Sequence, residues 1–93
     1  MIRTFRNKTT EQIFRRIPVK GFHPDVLRAA MKRLGALDAA ASLQELAAVP
    51  GNRLHQLQGD REGQYSISVN KQWRICFGWA AGQAENVEIV DYH

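Results

Sequence analysis

The feature that most constrains this chain is a change of hydrophobic period at Gly51. Before it, apolar residues recur every three or four positions; after it, they recur every two. The first spacing lines one face of a helix and the second one face of a strand, so helices come first and a sheet follows. The clearest helix carries Leu27, Ala30, Met31, Leu34 and Leu37 in a single stripe, with Arg28, Lys32 and Arg33 largely off it. Pro24 suits its first position and His23 is a mediocre cap. Gly35, inside the pattern, costs about 1 kcal/mol relative to alanine and is expected to weaken the last turn. Ser42 followed by Glu45 forms a capping box that opens a short third helix with Leu43, Leu46 and Val49 inward; Pro50-Gly51-Asn52 ends it. Ahead of these, residues 2–5 alternate weakly and predict a short first strand. Thr9-Thr10 before Glu11, Ile13 and Phe14 predict a short helix ending before Pro18, and residues 19–23 a turn.

Past Gly51, Tyr65, Ile67 and Val69 alternate with Ser66 and Ser68. Asn70-Lys71-Gln72 makes a turn, and Trp73, Ile75, Phe77 and Trp79 alternate with Arg74, Cys76 and Gly78. A second turn, Ala81-Gly82-Gln83, precedes Val87, Glu88, Ile89 and Val90. Two such short connections imply an antiparallel meander. The expected fold is α+β, a single domain over residues 1–93 with N-terminal helices packed on one face of a small antiparallel sheet. If the aromatic set faces the helices, Ser66, Ser68 and Arg74 face the other way, onto a surface left open. Arg74 then projects into a small, uncharged platform that suits an extended phosphate-bearing ligand.

Composition narrows the function classes. The 93 residues are 44% hydrophobic and 24% charged, which describes one ordinary soluble domain. No apolar stretch approaches the roughly 18–20 residues that span a bilayer, and the opening MIRTFRNKTT lacks a secretory apolar run. A single cysteine, Cys76, excludes an internal disulfide and leaves a cysteine-based metal site without partners. A reducing compartment, the cytoplasm, is expected. The net charge of +4 is unevenly placed: nine basic and two acidic residues up to Arg33 give +7, and the remainder gives −3. Such a basic half either attracts a polyanion or is simply a solvated helix face.

Two places concentrate chemistry. The first is residues 54–63, LHQLQGDREG, where His55 sits between two leucines and fits a solvated surface residue as well as a functional one. Gly59, Asp60 and Gly63 read as loop punctuation, and Arg61 can pair with Asp60 or Glu62. The second is the run Asp91-Tyr92-His93, an acid, a phenol and an imidazole led in by an apolar strand. Terminal residues commonly fray. There is no Walker pattern, GxGxxG, HExxH or GxSxG, and His23, His55 and His93 lack metal-ligand spacing. No cofactor is implied. The types present in His55, Arg74, Tyr92 and His93 match metal-free RNA cleavage, in which a 2′-hydroxyl attacks the adjacent phosphorus. That reaction needs a proton acceptor, a proton donor and cations for the phosphorane, roles suited to histidine and arginine. Tyrosine can stack on a base or orient a proton carrier.

The stretch LHQLQGDREGQYSISVNKQWRICF, together with the closing VDYH and the opening MIRTFRNKTTEQIF, resembles the HigB toxins of the RelE/ParE superfamily, encoded in bacterial toxin–antitoxin pairs. The resemblance covers essentially the whole chain. It implies a RelE-like microbial RNase fold, a ribosome-dependent mRNA endonuclease that blocks translation, and silencing by a cognate HigA-like helix-turn-helix antitoxin. It also implies catalytic roles at the positions matching His55, Arg74, Asp91, Tyr92 and His93. One departure stands out: Gln58 occupies a position where the family commonly has lysine, which shifts phosphate charge stabilisation towards Arg61 and Arg74. Arg15, Arg16 and Lys20 are assigned to ribosomal RNA phosphates, a salt-sensitive contact. The competing readings are a ParE-like topoisomerase poison without RNase activity, and a non-catalytic module that binds antitoxin or nucleic acid.

Overall fold

The computed structural model describes residues 1–91. Three helices precede four strands, as the change of period requires. They are α1 (Lys8–Phe14), α2 (Pro24–Ala39), α3 (Leu43–Ala48), β1 (His55–Gln56), β2 (Gln64–Ser68), β3 (Trp73–Ala80) and β4 (Gln83–Asp91). A 3-10 turn, Gly59–Arg61, lies between β1 and β2. The strands stand in chain order β1-β2-β3-β4, each neighbouring pair antiparallel. No helix among the described residues is long and apolar enough to cross a membrane.

Helix starts follow from single side chains. Asn7 caps α1, its Oδ1 accepting from the Thr10 N–H at 2.9 Å. The threonines expected to start that helix lie inside it, and it ends at Phe14, well short of Pro18. Thr10 is fully buried, and its Oγ1 accepts the Ile89 N–H at 3.0 Å, so it fastens α1 to β4. His23 Nδ1 accepts the Asp25 N–H at 3.1 Å at the start of α2. Gly35 does not stop α2, which continues to Ala39 because Leu34 and Leu37 are both fully buried. Ser42 Oγ accepts the Glu45 N–H at 3.1 Å, and Glu45 returns the favour to the N–H of Ala41. Val49, expected inward, is 43% exposed: it is the extended C-cap of α3 and has left the helical stripe.

The core is the meeting of two apolar faces. Ile13, Ala30, Leu34, Leu37 and Leu46 from the helices pack on Ile67, Ile75, Phe77, Val87 and Ile89 from the sheet. Each such buried aliphatic or aromatic side chain contributes roughly 1.5–3 kcal/mol. Tyr65, Trp73 and Trp79 pack at its margin, Trp73 with its ring centroid 5.0 Å from that of Phe22. The helix-facing set is therefore the one that alternation predicts.

Two expectations change. Residues 2–5 form no strand; they touch β4 through isolated parallel bridges, Ile2 to Ala84 and Phe5 to Val87. The cause lies in β4, whose register against β3 shifts between Cys76 and Gly78, with Asn86 in the left-handed region at φ 52°. A bulge there breaks the row of donors a new strand would need, and Thr4 Oγ1 accepts the Asn86 N–H at 2.9 Å instead. Conversely, His55 and Gln56, where the hydrophobic period predicts no strand, form β1 by pairing with Ser66 and Tyr65.

Candidate active site

Directly opposed residues of antiparallel strands project to the same face. His55 opposes Ser66, Ser66 opposes Cys76 and Cys76 opposes Glu88, one row across the face turned from the helices. Ser68, Arg74 and Val90 make the next row. This face is not the bare, uncharged platform expected from alternation alone. Ser66 and Cys76 are fully buried, small side chains flanked by two long ones. Arg74 Nε donates to Ser66 Oγ at 2.8 Å, and Arg61 Nη1 donates to the Glu88 carboxylate at 2.7 Å and to Gln64 Oε1 at 3.2 Å. Arginine stems commonly cover small neighbours in this way while keeping the charged head polar.

An open groove of about 430 Å³ crosses this face, lined among others by His55, Gln58, Ser66, Asn70, Lys71 and Arg74. His55 is exposed at the end of β1. Among the described residues, three acceptors hold the Arg74 guanidinium: Ser66 Oγ, the Ser66 carbonyl at 3.3 Å and the Arg53 carbonyl at 2.7 Å. A cation held in place before the ligand arrives costs no reorganisation when charge develops beside it. Gln58 stands just before the 3-10 turn and is among the residues lining the groove, an amide donor without charge.

The other predicted residues are distributed around this centre. Arg61 is engaged by Glu88 instead of Asp60 or Glu62, and Glu88 also lies 3.7 Å from Arg6. Asp91 ends β4 opposite Trp73, on the helix-facing side of the sheet and not among the residues lining the groove, and its Oδ2 accepts from Gln72 Nε2 at 3.1 Å. Tyr92 and His93 lie outside the described residues. Arg15, Arg16 and Lys20 belong to the helical layer, exposed, with Arg15 paired to Glu11 at 3.0 Å and Arg16 against the Met31 sulfur at 3.7 Å. None of the three lines the groove. Sequence reasoning missed Lys71, Asn70 and Arg53. The first two were read only as turn punctuation, although a turn that delivers Arg74 two residues later must lie beside it. Arg53 gave no signal, because its position depends on a left-handed backbone, φ 47°.

Cys76 is a packing residue in this face. Burial pushes its thiol pKa up; Glu88 adds to the effect, while Arg61 and Arg74 oppose it. A thiol kept protonated is a poor nucleophile. Among the described residues, no group of three or more His, Cys, Asp or Glu side chains is gathered to hold a metal ion.

Comparison with known proteins bears on the family and the fold. The chain is 36% identical over 97 residues to the Endoribonuclease HigB of Proteus vulgaris, with all of both chains covered. It is 37% identical over 83 residues to Toxin HigB-1 of Vibrio cholerae serotype O1, covering 88% of this chain and 87% of that one. Among solved structures, the YoeB-YefM complex from Staphylococcus aureus contains a chain with the same fold, at TM-score 0.62 and 14% identity, covering 100% of this chain and 98% of that one. A family model described as "RelE-like toxin of type II toxin-antitoxin system HigB" matches residues 3–93. The chain belongs to the HigB-like family of RelE-like toxins.

Proposed function

We propose that this chain is the toxin of a type II toxin–antitoxin pair and a metal-independent endoribonuclease that cuts mRNA on the translating ribosome. The observation that carries the reading is that His55 and the immobilised Arg74 line one groove on the helix-free face. In the reaction, one imidazole removes the proton from a 2′-hydroxyl, whose oxygen bonds to the adjacent phosphorus. The bond from phosphorus to the 5′-oxygen breaks, and a second imidazole supplies that oxygen's proton. A 2′,3′-cyclic phosphate and a 5′-hydroxyl remain. His55 and His93 take the two proton roles, and Arg74 stabilises the phosphorane oxygens. Asp91 orients an imidazole, and Tyr92 positions the base or assists deprotonation. Gln58 offers a neutral hydrogen bond to phosphate, while the Arg61 charge is largely offset by its pairing with Glu88. The partner that silences the site is a HigA-like helix-turn-helix antitoxin, and the compartment is the cytoplasm. That the fold's solved neighbour was crystallised with YefM supports an antitoxin partner.

Mapping mRNA 5′ ends on translating ribosomes with purified protein tests this. Ribosome-positioned cuts with 5′-hydroxyl ends are expected, and His55→Ala is expected to slow them by roughly 10²–10⁴-fold. DNA breaks without mRNA cuts would place the chain with topoisomerase poisons instead.

A further inference from the structure

The groove beside His55 and Arg74 does not stop at Lys71. Asn70 and Lys71 also wall a second depression of about 240 Å³, closed on its other sides by Gly51, Arg53 and Ser68. Among the described residues, no carboxylate lines it. Arg53 and Lys71 are exposed, and no acidic side chain among the described residues engages either. Asn70 Oδ1 accepts the N–H groups of Gln72 at 2.8 Å and Trp73 at 2.7 Å. Its amide is thereby oriented with the NH2 as the group left to donate. Ser68 is excluded as a donor, because its hydroxyl already donates to the Asn70 carbonyl at 3.1 Å.

The loop that carries Arg53 is built into the site. The Asn52 carbonyl accepts the Ser68 N–H at 2.7 Å, and the Arg53 carbonyl accepts Arg74 Nη2 at 2.7 Å. One residue thus orients the central guanidinium through its backbone and presents its own cation to the adjoining depression. The opposite end of the face differs. Beyond Gln56, Leu57 and Gln58 lies a third depression of about 420 Å³ with Glu62 in its wall and no cation among the described residues. A polyanion laid along the face is attracted at the Arg53–Lys71 end and repelled at the Glu62 end.

We propose that Arg53, Lys71 and the Asn70 amide form a subsite for a second phosphodiester of the substrate strand, the one flanking the linkage held at Arg74. This rests on the RNA-cutting function proposed above. Ribosomal RNA carries the same chemistry; the wall shared between the two depressions favours the strand being cut.

The test is single-turnover cleavage on ribosomes programmed with mRNA carrying one neutral methylphosphonate linkage, walked through the positions flanking the cut. At one flanking position the wild type should slow about tenfold, as loss of a charged contact predicts. The double variant Arg53→Gln, Lys71→Gln keeps the Arg53 carbonyl that holds Arg74. It should slow to a similar extent on ordinary mRNA and be slowed no further by that linkage, the non-additivity expected of direct partners. Its affinity should also depend less on salt, with the log–log slope smaller by about 0.7 for one phosphate of a single strand. Lys71→Gln alone, at an exposed turn, should show part of each effect. A double variant that cuts at the wild-type rate overturns the subsite. So does one whose defect adds to that of every neutral linkage, which would put the anion outside the cut strand, ribosomal RNA included. A wild type that cuts no mRNA overturns the proposed function and the subsite with it.

Discussion

Arg74 is useful because Ser66 is small. A larger side chain at position 66 would fill the space the guanidinium crosses, and one without a hydroxyl would remove the acceptor 2.8 Å from Nε. Three acceptors in fixed directions suit a planar fork, and an ammonium keeps the charge without the geometry. Arg74→Lys should therefore lose roughly 10²-fold in single-turnover cleavage, comparable with removing one donor to a developing oxyanion. A lysine variant at the wild-type rate would show that charge alone suffices. Cys76, opposite Ser66, makes a separate prediction through pH. Burial disfavours the thiolate and holds its folded-state pKa above the ordinary cysteine value. As pH rises past that value, the unfolded chain releases this proton and the folded chain does not, so the folded state loses stability. Urea midpoints should fall above about pH 9, and Cys76→Ala should remove that part of the fall. The same slope in wild type and variant would assign the alkaline loss to other groups.

At the scale of elements, the site depends on how one turn leaves α3. Asn52 is fully buried: its Nδ2 donates to the Leu46 carbonyl at 3.0 Å, and its Oδ1 accepts from Arg33 Nη1 at 2.5 Å. It joins α2, α3 and β2 just before Arg53 turns back towards Arg74. Asn52→Ala leaves buried groups unpaired and should cost about 1–3 kcal/mol, read as a lower denaturant midpoint at unchanged slope. An unchanged midpoint would mean water replaces the amide without loss. Little of this was legible in advance. Periodicity exposed the helices, the meander and the helix-facing aromatics, because each is a property of residues two to four apart. It could not show that Asn52 meets Arg33, that a bulge at Asn86 denies residues 2–5 a full ladder, or that Glu88 claims Arg61. Those are contacts between segments, and single-chain spacing carries no information about them. His55 and Arg74 were found for opposite reasons. Arg74 followed from strand alternation, whereas His55 became compelling only once β1 placed it in the row of Ser66.

At the scale of the molecule, the two signs of charge separate by layer as well as by sequence. The +7 segment up to Arg33 holds α1 and most of α2, while the −3 remainder holds the sheet and its groove. The groove face keeps its own cations, Arg53, Lys71 and Arg74, and masks Arg61 with Glu88. Arg15, Arg16 and Lys20 stand on the other layer, so one RNA strand lying in the groove does not need them. A protein that holds mRNA on one side and a larger anionic surface on the other makes two separable contacts. The triple variant Arg15→Glu, Arg16→Glu, Lys20→Glu should fold normally, because all three side chains are exposed. It should bind ribosomes at least about tenfold more weakly at moderate salt, with a shallower salt dependence. Once saturated with ribosomes, its cleavage rate should match the wild type, since the groove is untouched. Equal ribosome affinity would return these cations to the role of a solvated helix face, and a lower saturated rate would mean that the two layers are coupled.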